Sequence, residues 1–487
     1  MARVVIMGAG VAGHTAALYL KKQLGKAHDV IVVTPNSQWN WIPSNIWVGV
    51  GKMQQKQVLF ALAPLYKRKG IEYHQALARV LRPEGDGDDA TPSIEIEYTD
   101  PKRKGETARL HYDYLVNATG PKLNFNATPG LGPDQDGGTV SVCTADHATH
   151  AASALAEAIA KMKAGERQTL VIGTGHGTCT CEGAAFEYVF NVEHEVREAG
   201  VRDLAEIIYF TNEYELGDFG VGGMLFNQKG FQTTSKMWTE SLFRERGVRP
   251  IVRAHPHRIE DGIIHYETLD GAHHELPFDF AMLLPPFRGA DLVAYDREGN
   301  DISDRLFAAN GMMKVDADYA PKAYEEWKAA DWPKTYRSPH YDNIWAPGIA
   351  FAPPHPISVP HTSPNGTVIT PAPPRTGMPA GIMGKIVADT ITDRIKNPGR
   401  PDHEASMAAM GSACIASAGT GLTTGSAASM TMYPTVPDHE KYPDNNGRHR
   451  SFTSGEIGLA GHWIKALLHF GFIYKMKARP FWWLIPE

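Results

Sequence analysis

The feature that most constrains this chain is the stretch RVVIMGAGVAGHTAALYLKK, which begins at Arg3. An apolar run from Val4 to Met7 predicts a buried strand. It breaks into Gly8, Gly10 and Gly13 before a helical pattern with Ala16, Ala17 and Leu20. In such a strand–turn–helix the first glycine permits the tight turn. The second lets backbone approach a pyrophosphate, and the third lets helix and strand pack closely. The amino end of the helix offers unpaired N–H groups and a positive dipole to phosphates. A second strand, Asp29 to Val33, follows at the spacing such a unit requires. The stretch is read as a dinucleotide site, with Gly8, Gly10, Ala12 and Gly13 against the cofactor. After the second strand comes Thr34-Pro35-Asn36. The acid that usually holds a ribose is absent there.

At 487 residues the chain has room for two or three domains. Its 43% apolar and 21% charged residues suit a globular protein with a sizeable core. A net charge of −6 gives no reason to expect nucleic acid. A homo-oligomer is compatible with these numbers but not specified by them. No signal peptide is expected, because the first strand starts at Arg3. No apolar run reaches the roughly 18 residues of a spanning helix. Pro/Gly/Asp-rich patches near 83–92, 128–138 and 353–374 read as linker-like.

The segment NWIPSNIWVGVGK, Asn40 to Lys52, is aromatic and contains Pro43, so a loop is expected, packed near the cofactor. Residues 70–115 alternate as small antiparallel strands followed by a return strand. That strand ends in LVNATGPK, where Gly120 permits a turn that brings backbone to the cofactor. An Ala-Thr-Gly strand end downstream of a dinucleotide fingerprint points to FAD rather than NAD. A second unit starts at QTLVIGTGHGTC, with Gly173, Gly175 and Gly177 after a strand. The third glycine of a fingerprint would fall at Thr178, so a Rossmann-like fold is expected here without working NAD binding.

Four cysteines at irregular spacing make no disulfide framework. Cys179 and Cys181 fall at the amino end of the second unit's helix, where the dipole favours thiolate. Zinc at these cysteines would need a matching second pair, and Cys143 and Cys414 are solitary, so no metal is expected. Glu187 follows Cys181 by six residues and His147 follows Cys143 by four. Either is a candidate proton carrier.

With these residues in view, the chain resembles the sulfide:quinone oxidoreductase family of two-dinucleotide-domain flavoproteins. The resemblance runs nearly end to end. It is carried by GAGVAG, WIPSNIWVGVG, YDYLVNATGP, SVCTADHA, CEGAAFEYVFN, ELGDFGVGG, MLLPPFRG, PRTGMPAGIMGKIVA, GSACIASAG and the closing WWLIPE. It implies an α/β fold with two Rossmann-like domains. FAD would be bound by residues 1–125 and 290–400, with a second domain at 126–289 and a membrane-facing region at 401–487. It implies oxidation of sulfide through cysteines, with Cys181 as the sulfur-taking residue and Cys143 and Cys179 beside it. Glu187 and His147 would move protons. Quinone would be reduced beside Phe351, and the site residues Pro43, Asn45, Thr119, Gly120 and Gly348 would line the FAD.

Two positions depart from the family. Ala350 stands where a third cysteine is common, and Asp218 where a histidine is usual. Cys143, Cys179 or Cys414 would then have to partner Cys181, unless another sulfur acceptor serves. In the carboxyl-terminal HWIKALLHFGFIYKMKARPFWWLIPE, Trp463, Leu467, Phe470 and Ile473 share one side. Lys465, Lys475, Lys477 and Arg479 add charge. This suits a peripheral helix in a membrane interface, with Trp482 and Trp483 at headgroup level. The membrane face is left open. The rival readings are a type II NADH:quinone oxidoreductase, a flavocytochrome c sulfide dehydrogenase flavin subunit, and a flavin module that binds sulfide without turnover.

Overall fold

The computed structural model describes residues 1–180, 182–228, 230–375, 377–419 and 423–487. Cys181, the residue given the central sulfur role, lies outside them. The apolar run at the start forms the strand Arg3–Met7, buried from Val4 onward. It sits in the middle of the main sheet, parallel to Asp29–Thr34 on one side and Tyr114–Asn117 on the other. The order continues through Glu72–Arg82, Ser93–Tyr98 and Thr107–His111, with Ile344–Trp345 at the far edge. Pairing is parallel as far as Glu72–Arg82 and antiparallel beyond it. A continuously apolar strand such as Val4–Met7 belongs in such a doubly covered centre.

The helix Val11–Leu24 covers this sheet and packs on the helix Gly377–Lys396. Close approach there depends on Gly384, where a Cβ would lie 2.3 Å from the Ala12 carbonyl oxygen. The late PAGIMGK segment thus returns to the first helix.

A second sheet of four parallel strands runs in the order Val248–Ile251, Ala205–Phe210, Gln168–Thr174, Phe280–Leu284. It is followed by the helix Glu182–Glu198 and flanked by an antiparallel sheet of Ala254–Glu260, Ile263–Thr268 and His273–Pro277. A third, antiparallel sheet of Ser412–Ala418, Ser426–Met432 and Ser454–Gly458 leads into the helix Leu459–Met476. Among the described residues no helix is long and apolar enough to cross a membrane.

Two expectations are corrected here. Residues 42–49 are not a loop: Ile42–Ser44 forms a 3-10 turn and Asn45–Gly49 a short α-helix. Pro43 stands in the first turn, where its missing N–H costs nothing. Of the linker-like patches, 83–92 is a hairpin connection exposed at 87–91, whereas the other two are held to the second glycine turn. Residues 83–92 join two strands of the first sheet, and Thr128 Oγ1 donates to the Gly175 carbonyl at 2.6 Å. The stretch before Pro373 runs along the second glycine turn, with Thr370 N–H on the Gly177 carbonyl and Ala372 N–H on the Cys179 carbonyl.

Candidate active site

The first glycine turn is drawn tight. Gly8 has φ +97°, and a Cβ on it would lie 2.0 Å from the Ala118 carbonyl oxygen. A Cβ on Gly13 would lie 2.2 Å from the Gly8 carbonyl oxygen, so helix and strand touch through backbone. Gly10 is exposed, and a Cβ on it would meet nothing within 4 Å. As the N-cap of Val11–Leu24 it brings no side chain to the free N–H groups of the first turn. This is a cradle with its donors open, and it fits the pyrophosphate of a dinucleotide.

Ala118, Thr119 and Gly120 follow the neighbouring strand, with Thr119 Oγ1 donating to Asn117 Oδ1 at 2.8 Å. Gly348 has φ +76° and stands against Ala12, whose Cβ a side chain would approach to 2.8 Å. Asn45 is fully buried, and its amide donates to Asn40 Oδ1 and to the Val142 carbonyl. It ties its short helix to the Cys143 segment. Asn36, past the second strand, gives its carbonyl to Tyr73 Oη.

The second glycine turn is different: the chain itself fills it. Gly177 N–H donates to His255 Nδ1 at 2.8 Å. A Cβ on Gly177 would lie 2.3 Å from the Val368 carbonyl oxygen. Asn212 Nδ2 caps the carbonyls of Gly177 and Cys179. Backbone that a pyrophosphate would need is thus already spent, which agrees with the fingerprint broken at Thr178.

Cys179 does not become the thiolate expected of it. Its Sγ–H donates to the Leu284 carbonyl at 2.9 Å, and burial pushes its thiol well above the ordinary range. It also precedes the helix Glu182–Glu198 by three residues, short of the first turn. Burial likewise raises the Cys143 thiol to about 11 and the Cys414 thiol to about 12. Cys414 lies against the helix's first turn, where a Cβ on Gly183 would come within 2.9 Å of its sulfur. His147 makes no side-chain hydrogen bond among the described residues. Its ring meets the edge of Phe125 at 5.8 Å, and burial lowers its pKa.

Phe351 does not present an open face for a quinone ring. It is fully buried between Tyr336 and Trp332, with the Arg375 guanidinium 4.7 Å from its centroid.

Glu187 is the hub of a buried polar network that spacing alone does not reveal. Lys465 Nζ donates to Glu187 Oε2 at 2.7 Å. Burial raises the Glu187 carboxyl, and the ammonium beside it opposes that shift. Ser417 N–H reaches Glu187 Oε1 at 3.4 Å, and Ser417 Oγ pairs with His462 Nδ1 at 2.6 Å. His469 Nδ1 pairs with Ser44 Oγ at 2.8 Å, beside Pro43. The carboxyl-terminal helix thus turns His462, Lys465, His469 and Lys475 inward, while Trp463, Leu467 and Phe470 are exposed. Lys465 and Lys475 are therefore not interface charges. Lys475 pairs with Glu487 at 2.7 Å, and Trp482 is buried edge-on against Tyr19 at 4.8 Å. Trp482 is part of the core and not at headgroup level, because the closing residues fold back onto the first helix.

Near the second turn lies a set of acids, Glu182 and Glu213 fully buried and Asp218 partly so. Glu213 accepts from Thr211 Oγ1 and Phe219 N–H, and Asp218 from Ser358 Oγ and Gly220 N–H. Burial pushes Glu213 up to about 7 and raises Asp218 and Glu182 as well. Such carboxyls are neutral in the fold at a pH where the unfolded chain is ionised. Their contribution to stability is complete below the unfolded value and is lost as pH rises through about 7. Thermal scans are expected to show Tm falling from about pH 4.5 to about pH 7 and levelling off above it. Glu213→Gln should flatten that fall, removing a slope worth about 3 kcal/mol at most.

The fold and the open first turn define the class: a flavin-dependent oxidoreductase with two Rossmann-like units. Residues 2–208 match the family described as Pyridine nucleotide-disulphide oxidoreductase. More particularly, the chain is 27% identical over 474 residues to the Sulfide-quinone reductase of Aquifex aeolicus (strain VF5), covering 97% of this chain and 91% of that one. The crystal structure of the sulfide:quinone oxidoreductase from Aquifex aeolicus superposes with TM-score 0.75 at 26% identity, over 98% of this chain and 92% of that one. NDH2 from Plasmodium falciparum shares the fold, with TM-score 0.62 at 13% identity, covering 99% of this chain and 97% of that one. The resemblance carried by short motifs is thus borne out as a likeness to sulfide:quinone oxidoreductase along the whole chain.

Proposed function

We propose that this chain is an FAD-dependent sulfide:quinone oxidoreductase working at a membrane surface. The observation that carries the reading against its nearest rival is the filled second turn. A type II NADH:quinone oxidoreductase needs open backbone there, and His255 and the Val368 carbonyl occupy it. The first turn, by contrast, leaves Gly10 and the helix amino end open to a dinucleotide.

Bound at that cradle, FAD supplies two-electron chemistry between the sulfur and the quinone. The overall balance is HS⁻ + quinone + H⁺ → sulfane sulfur + quinol. Cys181 takes the sulfur in this reading. Cys414 is its favoured partner in place of the cysteine absent at Ala350, because its sulfur lies against Gly183, two residues after Cys181 in the sequence. Cys143 and Cys179 are less suited, since Cys179 is fixed as a thiol donor. Glu187, paired with Lys465, is placed to hold a proton between the sulfur side and the carboxyl-terminal helix. His147 is a candidate for proton traffic at the Cys143 end. Quinone would be drawn from lipid under the exposed apolar face of the helix Leu459–Met476, and Phe351 would shape the floor of its site from within.

The test is anaerobic titration followed by flavin absorbance. Sulfide is expected to bleach the flavin of the wild type and NADH to leave it unchanged. Cys181→Ala should respond to neither. Bleaching by NADH, or an unchanged sulfide response in Cys181→Ala, would overturn the reading.

A further inference from the structure

The antiparallel sheet of the second unit carries a cluster that sulfide oxidation leaves unused. Glu267 lies on its middle strand, opposite His255 on one side and His273 on the other. The register slips between Pro256 and Arg258, which makes His257 the extra residue of a bulge. A bulge re-aims its side chain. Here His257 Nε2 points at Glu267 Oε2, 2.8 Å away. One ligand atom each from His257, Glu267 and His273 lie within 4.8 Å of one another. Glu267 has no solvent exposure, whereas both histidines are exposed.

We propose that His257, Glu267 and His273 form a binding site for a divalent transition-metal ion of the zinc kind. Two imidazole nitrogens and one carboxylate oxygen suit zinc, nickel or copper better than magnesium or calcium. Three protein ligands leave a fourth position for water. The outer shell is already built. Thr367 Oγ1 donates to Glu267 Oε2 at 2.7 Å and Asn365 Nδ2 to Oε1 at 3.2 Å, which fixes the carboxylate's orientation. The ion replaces the proton shared by His257 and Glu267. The two ligand atoms then move apart to the roughly 3.4 Å set by tetrahedral zinc, a small shift for an exposed histidine.

The consequence reaches the second glycine turn. Asn365 and Thr367 begin the segment that pairs Thr370 with Gly177 and Ala372 with Cys179. His255, across from Glu267, accepts from Gly177 N–H on the same turn. An ion in this site therefore pins both covers of the turn that precedes Cys181.

The test is calorimetric titration of zinc ion into the flavin-loaded, tag-free full chain, with thermal shift in parallel. One ion per chain is expected, with a raised Tm and no comparable binding of magnesium. His257→Asn and His273→Asn, both at exposed positions, should each weaken zinc by more than the roughly 10–100-fold that loss of an outer-shell partner costs. Thr367→Val should weaken it within that roughly 10–100-fold range. The proposal fails if the wild type binds no zinc, if magnesium binds as tightly, or if both histidine variants bind zinc as well as the wild type does, which would place the ion on the cysteines.

Discussion

Lys465→Met is expected to destabilise the protein by about 3–5 kcal/mol, the usual result of leaving a buried charge without its partner. Lys465 is only 8% exposed and Glu187 only 5%. The ammonium lies 2.7 Å from one carboxylate oxygen and reaches the Ile415 carbonyl at 3.4 Å. With the lysine gone, only the Ser417 N–H still opposes burial at Glu187, which stays protonated to a higher pH. The double variant Lys465→Met with Glu187→Leu removes both charges and should recover most of the loss. Denaturant unfolding of the three proteins checks this. A single-variant loss equal to that of the double variant would mean that the pair is not coupled. The two variants also separate roles: both alter proton handling, but only the single one leaves an ionisable group whose pKa is shifted. The pH profile of quinol formation should therefore move in Lys465→Met and lose that limb in the double variant.

The first unit was legible because its chemistry is local. Gly8, Gly10 and Gly13 report strand, turn and helix within a few residues, and backbone meets backbone at Gly8 and Gly13 while Gly10 is left open. The broken fingerprint at Thr178 was equally readable, although its cause was not. His255 and Val368, which fill the turn, come from far along the chain. The same distance hid Lys465, which reads as an amphipathic helix's basic flank until Glu187 is placed beside it. Cys179 misled because a dipole argument weighs the helix end but not the burial that opposes it. Residues 42–49 misled because proline was weighed as a helix breaker and not as a first-turn residue. His257, Glu267 and His273 sit at spacings no metal motif uses. The bulge between Pro256 and Arg258 is what aims His257 at the carboxylate.

The double variant Leu467→Glu with Phe470→Glu is expected to lose membrane binding while keeping sulfide-driven bleaching of the flavin. A helix of a water-soluble protein puts its apolar stripe inward. The helix Leu459–Met476 does the reverse. His462, Lys465 and His469 face the protein, and Leu467 and Phe470 are 71% and 67% exposed. Ile464 and Trp463 continue that outer face, at 49% and 50%. An apolar surface of this kind on a helix too short and polar to span suits burial in the headgroup region. Each of the two side chains contributes about 1.5–3 kcal/mol when withdrawn from water. Losing both should weaken partition roughly a hundredfold or more. Flotation with phosphatidylcholine vesicles measures the partition, and stopped-flow flavin absorbance measures the sulfide half-reaction. Reduction of a long-chain quinone held in the vesicles should fall with the partition, while reduction of a short, water-soluble quinone should not. Unchanged flotation of the double variant would instead mean that the outer face packs against protein, and the route by which quinone reaches the flavin would have to lie elsewhere.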